Sequence, residues 1–167
     1  RVNNSVSLVA VSKQHSLEAI MKVLNAGHKV FGENRVQEGL KKFTGIKETH
    51  TDLELHLIGP LQTNKVRDAV NLFDVIETLD RPKLAKEISR EIDRTGKKMG
   101  LLIQVNTGEE AQKSGVSPGN FDGFFKYCSE DLNLPVKGLM CIPPVNDEPA
   151  KHFALLAEMS RRYKLPF

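Results

Sequence analysis

The stretch Ser7-Leu8-Val9-Ala10-Val11-Ser12-Lys13 is an apolar run that ends in a lysine. A run with so few polar interruptions is typical of a strand that is buried on both faces of a parallel sheet. Ser16 follows as a good N-cap for a helix with one apolar face. Lys13 therefore falls at the carboxyl end of the strand, where parallel α/β proteins bind their ligands. An amine that is enclosed by apolar residues at this place can act as a nucleophile toward carbonyl groups.

The alternation of an apolar run with an amphipathic helical stretch continues along the chain. The predicted strands are residues 7–11, 29–31, 54–58, 73–77, 101–105 and 136–140. The predicted helices are residues 16–26, 35–43, 63–70, 82–95, 118–129 and 148–163. Gly27, Gly45 and Gly96 follow the first, second and fourth helices as expected stop signals. Consecutive strand–helix units favour a parallel sheet with right-handed crossovers.

Two folds contain such a sheet, namely an open doubly wound sheet and a (β/α)8 barrel. A dinucleotide-binding doubly wound fold has a GxGxxG turn after its first strand, whereas this chain has Ser12-Lys13-Gln14-His15. A barrel typically needs about 200 residues or more for its eight units, and only six units are visible in these 167 residues. We predict a TIM-type barrel of which about six βα units are seen, with an open six-stranded sheet as the alternative.

Bulk composition argues against several classes of function. Hydrophobic residues make up 40% of the chain and charged residues 27%, as in ordinary globular domains. The basic residues behind the formal charge of +3 are scattered among acidic ones, so nucleic-acid binding is not expected. No apolar stretch approaches the roughly 20 residues that span a bilayer. Cys128 and Cys141 are too few for a disulfide framework, and we expect a reducing, cytoplasmic location.

The predicted carboxyl ends of the strands carry mostly amides and hydroxyls around a single lysine. This set suits a polar, planar ligand that is held by hydrogen bonds. The five histidines have no HExxH or HxH spacing, so a metal site is not expected. Each candidate residue also has an ordinary structural explanation. Lys13 could be solvated surface, Asn34 could be a helix N-cap, and His56 could be a hydrogen-bonded core histidine.

Several motifs are more specific together than any residue alone. They occur in this order: Val9–Lys13 (VAVSK), Phe31–Glu38 (FGENRVQE), His56–Lys65 (HLIGPLQTNK), Gln104–Asn106 (QVN), Lys113–Gly115 (KSG) and Gly138–Met140 (GLM). With them the chain resembles the pyridoxal phosphate homeostasis protein family, the single-domain relatives of the alanine racemase N-terminal barrel. The resemblance runs from about Val6 to Phe167.

The resemblance implies a (β/α)8 barrel with pyridoxal 5′-phosphate bound as an internal aldimine on Lys13. It also implies that Asn34, His56 and Met140 lie close to the cofactor, and that the loop residue Lys113 takes part in handling it. Many members carry a second lysine two residues after the first, where this chain has His15.

The resemblance also sets the expected domain organisation. In the family the phosphate ligands follow the seventh and eighth strands, which would lie beyond Phe167, and a helix precedes the first strand. We therefore expect a single α/β barrel domain over residues 1–167 that lacks the N-terminal helix and the last βα units.

The expected activity follows from what the chain offers beside the lysine. Racemisation needs two positioned groups on opposite faces of the substrate. The candidates for the second group are Tyr127 and Tyr163, and both fall in predicted helices, away from the strand ends that carry Lys13. The resemblance implies a non-catalytic carrier or regulator that passes cofactor to recipient enzymes, and we expect a monomer without nucleic-acid or membrane partners. A low-activity racemase-like enzyme is the alternative, and an aldolase-like barrel that uses Lys13 without a cofactor is a third hypothesis.

Overall fold

The computed structural model describes residues 6–166 and contains a six-stranded parallel sheet. Its strands are β1 (Ala10–Val11), β2 (Val30–Glu33), β3 (Glu54–Leu57), β4 (Val75–Leu79), β5 (Gly100–Gln104) and β6 (Val136–Met140). Its α-helices are α1 (Leu17–Asn25), α2 (Val36–Thr49), α3 (Val66–Leu72), α4 (Pro82–Thr95), α5 (Phe121–Lys126) and α6 (Pro149–Arg162). Short 3-10 turns lie at Thr63–Lys65 and Pro118–Asn120, and a π turn lies at Tyr127–Asp131.

The order of the strands in the sheet is the same as their order in the chain, from β1 to β6. Each strand runs parallel to the one before it. A doubly wound sheet reverses its strand order at a switch point, where it binds its ligands. The described strands have no such reversal, so the doubly wound form of the alternative is wrong. Among the described residues the sheet is unclosed, because β1 and β6 are its two edges. The sheet has the topology of a (β/α)8 barrel, of which these residues form six strands.

The two faces of the sheet differ in composition. Alternate strand residues on the outer face lie under the helices and are at most 1% exposed: Phe31, Leu55, Leu57, Ile76, Leu101 and Ile103. Gly32 and His56 are register partners on the inner face, and Val75 on β4 pairs with His56 in turn. Strands that are covered on both faces are rich in apolar residues, which explains why they could be recognised in the sequence.

Most predicted elements are confirmed, with differences at their ends. Ser16 caps α1 by accepting a hydrogen bond from the Ala19 N–H at 3.2 Å. Gly96 ends α4 in the left-handed conformation, with φ of 66°. The predicted stop at Gly45 is wrong, because α2 continues to Thr49. β1 is also shorter than predicted, at two residues.

Candidate functional site

Lys13 lies two residues after β1, at the carboxyl edge of the sheet. The ladder to β2 extends one residue past the strand, because the Ser12 N–H donates to the Gly32 carbonyl at 2.9 Å. Lys13 itself is exposed. Within residues 6–166 its amine has no hydrogen-bond or ion-pair partner. The structure thus places a free primary amine at the predicted end of the sheet, although the described residues do not enclose it in an apolar pocket.

Asn34 follows β2 at the same edge. Its Oδ1 atom is buried and has no hydrogen-bond partner among the described residues. Asn34 also lines a cavity of about 560 Å³ together with Arg35, Gln62 and Lys65. The backbone of Gly59 approaches Asn34 so closely that a Cβ atom on Gly59 would lie 2.2 Å from the Asn34 carbonyl oxygen. Asn34 is therefore fixed by backbone packing rather than by its own side chain.

Gln104 and Met140 are register partners at the carboxyl ends of β5 and β6. The Gln104 side chain donates to the Ser114 carbonyl at 3.2 Å, while its Oε1 atom is buried without a partner among residues 6–166. Gln104 lines a cavity of about 160 Å³ with Asn106 and Lys113. Gln104 stands in the QVN motif of the sequence but was not predicted as a site residue. Its polarity at the buried end of an apolar strand was the available signal.

The Lys113 loop crosses this edge of the sheet. The Lys113 Nζ donates to the Pro143 carbonyl at 3.0 Å and forms an ion pair with Glu110 at 2.5 Å. Asn106 holds the start of the loop, because its side chain donates to the Glu110 carbonyl at 2.9 Å and accepts from the Glu110 N–H at 3.2 Å. Lys113 thus connects the loop after β5 to the loop after β6.

His56 lies on the inner face, before the carboxyl end of β3, and it lines a different cavity from Asn34. That cavity has a volume of about 340 Å³ and is also lined by Glu54, Leu102 and Lys137. The His56 Nδ1 lies 2.6 Å from the Glu77 carboxylate and its Nε2 lies 2.7 Å from Glu54. Both ring nitrogens already have carboxylate partners, so His56 is held in an ion-pair network of the sheet interior.

The surroundings of His56 favour its charged form. Burial by itself would lower the pKa of His56, but the hydrogen bonds to Glu77 and Glu54 outweigh it and raise the pKa above its ordinary value. An imidazole can donate through both nitrogens only when it is protonated. This raised pKa adds stability that is fully present below the unfolded value of about 6.5 and is lost as pH rises through the folded pKa.

Replacing Glu77 by glutamine is expected to lower the pKa of His56, since a neutral amide stabilises the charged ring less well. NMR titration of the imidazole measures this change. We also expect a loss of about 1.5–3 kcal/mol of unfolding free energy near pH 6, and a smaller loss at higher pH. Glu87→Gln is the matched control, because Glu87 pairs with Arg90 on the surface of α4. An unchanged His56 midpoint in Glu77→Gln would contradict the network.

Neither a metal site nor a reactive thiol is found in the described part of the chain. Residues 6–166 contain no group of three His, Cys, Asp or Glu side chains that could hold a metal ion. Burial raises the pKa of Cys128 to about 12. Burial also raises the pKa of Cys141, although a hydrogen bond with Thr107 opposes it. Both thiols are therefore poor nucleophiles. No helix in this part of the chain is long and apolar enough to cross a membrane.

Sequence reasoning missed three charged residues that lie beside the lysine segment. They are Glu33, at the end of β2, and Glu38 and Lys42 on α2. Glu33 is fully buried and accepts a hydrogen bond from the Ser12 hydroxyl at 2.8 Å. Two of the three stand in the FGENRVQE motif, but the sequence alone did not indicate which strand end they contact.

Comparison with known proteins defines the class to which this fold and site belong. The sequence model of the alanine racemase N-terminal domain matches residues 1–164. An alanine racemase from Clostridium difficile 630 has the same fold, with a TM-score of 0.77 at 11% identity over 99% of this chain and 45% of that one. This second likeness concerns the fold alone. The class is therefore the alanine racemase N-terminal barrel.

Within that class the chain belongs to the pyridoxal phosphate homeostasis protein family. It is 42% identical to the pyridoxal phosphate homeostasis protein of Vibrio cholerae, over 97% of this chain and 71% of that protein. It is 44% identical to the corresponding protein of Aquifex aeolicus, over 89% of this chain and 64% of that protein. The chain thus spans roughly two thirds of the length of these relatives.

A solved structure agrees with this assignment. PipY of Synechococcus elongatus, in a structure with pyridoxal phosphate bound, has a TM-score of 0.84 and is 31% identical over 100% of this chain and 81% of that one. The predicted family and barrel class are confirmed. The roles of Lys13, Asn34, His56 and Met140 stay predictions, and the structure brings them to one sheet but not into one cavity.

Proposed function

We propose that this chain binds pyridoxal phosphate on Lys13 and serves intracellular cofactor homeostasis without catalysing a reaction of its own. The observation that carries the proposal is the exposed Lys13 amine at the carboxyl edge of β1, in the sheet topology of a (β/α)8 barrel. The similarity to PipY, which has this cofactor bound in its structure, supports the choice of ligand.

The residues at this edge fit the cofactor. Pyridoxal phosphate supplies an aldehyde that condenses reversibly with a primary amine. Lys13 would provide that amine, and its exposure leaves it accessible to an aldehyde. The buried oxygens Asn34 Oδ1 and Gln104 Oε1 have no partner within residues 6–166. Buried polar atoms of this kind are normally paired with protein, water or ligand, so both would accept hydrogen bonds at the bound site.

Met140 and His56 would contribute in different ways. Met140 is the register partner of Gln104, so its flexible thioether side chain would pack beside the same ligand. His56 has both nitrogens engaged by carboxylates. It would therefore act near the cofactor through its charge and its fixed position on the inner face, without donating a free N–H. In this proposal Lys113 would take part in handling the cofactor from the loop after β5, which its hydrogen bond to the Pro143 carbonyl joins to the loop after β6.

The side chains present favour binding over catalysis. Stereochemical inversion needs a second base opposite the lysine. Tyr163 cannot serve, because it packs against Phe121 and Phe125 with ring centroids 5.6 and 4.1 Å away. Tyr127 lies in the π turn that follows α5. A carrier needs only the Lys13 amine, which condenses reversibly with the aldehyde. An incoming amine, or a lysine of a recipient enzyme, then takes the aldehyde from Lys13. We place this function in the cytoplasm and in a monomer.

Hydride reduction of the intact protein with pyridoxal phosphate, followed by peptide mass spectrometry, tests the assignment. The covalent adduct is expected on Lys13, and Lys13→Ala should reduce its yield to about one tenth or less, because no amine remains at that position. Lys86→Ala is the control, since Lys86 is exposed on α4. An adduct at another lysine, or an undiminished yield in Lys13→Ala, would show the proposal to be wrong.

A further inference from the structure

The segment that carries Lys13 is bonded on its amino-terminal side to β2 and α2. The Ser12 hydroxyl donates to Glu33 Oε1 at 2.8 Å, and the Ser12 carbonyl accepts from the Lys42 ammonium at 2.7 Å. The same ammonium lies 3.0 Å from Glu33 Oε1. Glu33 is 0% exposed and the Lys42 side chain is 12% exposed. These charge-assisted bonds lie largely out of solvent, where they are little screened.

The carboxyl-terminal side of the segment is bonded to α2 as well. The Gln14 N–H donates to Glu38 Oε1 at 2.6 Å. The Lys42 ammonium donates to the same oxygen at 2.6 Å, from one helical turn further along α2. The hydrogen bond from Lys42 and then the one from Gln14 lower the pKa of Glu38. One carboxylate therefore connects the backbone after Lys13 to the ammonium that holds the backbone before it.

Gln14 is held by two hydrogen bonds, the one from its own N–H to Glu38 and the turn bond from the His15 N–H to the Ser12 carbonyl at 3.1 Å. Its φ is 63°, in the left-handed region that a residue with a Cβ adopts at a cost. A strained conformation of this type persists only where the surroundings enforce it. Without the bond to Glu38, only the turn bond from His15 would hold Gln14 in this conformation, and the direction of the adjoining Lys13 side chain would be less firmly fixed.

We propose that Glu38 and Lys42 form a clamp on the Lys13 segment, and that they are positioning residues that set where the Lys13 amine meets the cofactor aldehyde. The inference rests on the proposed function of Lys13. The clamp belongs to the βα unit next to the lysine, so α2 controls a reactive group that follows β1. Neither Glu38 nor Lys42 needs to contact the cofactor for this effect.

Glu38→Ala in the intact protein tests the clamp, because it removes the acceptor of the Gln14 N–H and should leave the rest of the sheet folded. We expect hydrogen exchange at the Gln14 amide to become about tenfold faster or more, because its acceptor is removed. The rate of hydride-trapped adduct formation at Lys13 should fall by about tenfold or more, since small misplacements of a reacting group have large effects on rate. Exchange at the β5 amides should stay unchanged, which shows that the sheet remains folded.

Two further variants make the test specific. Glu38→Gln keeps an oxygen acceptor for the Gln14 N–H but loses the charge, so it should recover part of both the exchange protection and the adduct rate. Glu18→Ala removes a carboxylate from α1, where Glu18 pairs with the exposed Lys22. This control should leave the Gln14 exchange and the adduct rate as they are in the unmodified protein.

The two hypotheses fail in different ways. Unchanged Gln14 exchange in Glu38→Ala would overturn the clamp, and so would an unchanged adduct rate. Absence of any Lys13 adduct in the unmodified protein would instead overturn the proposed function, whatever the exchange experiment gives. Faster exchange together with slower adduct formation, at unchanged β5 protection, supports the clamp.

Discussion

Replacing Lys42 by methionine is expected to lower the free energy of unfolding by about 3–5 kcal/mol. The Lys42 ammonium contacts the Ser12 carbonyl, Glu33 and Glu38 at 2.6–3.0 Å. Methionine has a similar length and no charge, so the main effect is electrostatic. Glu33 is fully buried and would keep a carboxylate without its cationic partner. Removing one member of a buried ion pair is costly because the other charge stays out of water.

Urea unfolding at neutral pH measures this loss. Lys41→Met is the matched control, because Lys41 is exposed on the same helix and its substitution should change stability by about 0.5 kcal/mol or less. The Glu33→Gln, Lys42→Met double variant should be more stable than the sum of the single losses implies, since it leaves no fully buried carboxylate without a cationic partner. Equal stability of Lys41→Met and Lys42→Met would contradict the burial and charge argument.

Gly59→Ala is expected to cost about 1–3 kcal/mol, or more if the two segments cannot separate. The new Cβ atom would lie 2.2 Å from the Asn34 carbonyl oxygen and 2.7 Å from its Cα. Both contacts are with backbone, which cannot rotate away as a side chain can. The carboxyl ends of β2 and β3 must therefore move apart, and Asn34 must move with them. Cofactor affinity should fall together with stability.

Gly45→Ala provides a control with the opposite sign. Gly45 lies inside α2, and a Cβ atom there would meet nothing within 4 Å. Alanine is the better helix former, so this variant should gain about 0.5–1 kcal/mol. Chemical denaturation of both variants tests the pair of expectations. A neutral Gly59→Ala would mean that β2 and β3 are not in close contact at their carboxyl ends.

The alternation of apolar and amphipathic segments predicted the strand–helix order and the parallel sheet. Those signals are local, because each strand is buried on both faces and each helix has one apolar stripe. The stop at Gly45 failed because tertiary packing overrode a local preference. Phe43 and Ile46 are both buried on α2, so the helix gains more by continuing past the glycine than by ending there.

The site was predictable where a single strand end carries the signal, as at Lys13 and Asn34. It was not predictable where partners come from distant parts of the chain. The contact between Gln14 and Glu38 joins residues 24 positions apart, and that between His56 and Glu77 joins residues 21 apart. The first pair depends on how α2 packs beside the end of β1, and the second depends on the register between β3 and β4. Hydrophobic periodicity specifies neither of them.

The sequential order of the strands also has a consequence for biosynthesis. Each new strand pairs with the one that immediately precedes it in the chain, so its template has already left the ribosome. Closing one βα unit on its predecessor needs only a short loop, with a small entropy loss. The nascent polypeptide can therefore fold vectorially, with the Lys13 segment and α2 assembling before the strands that follow them.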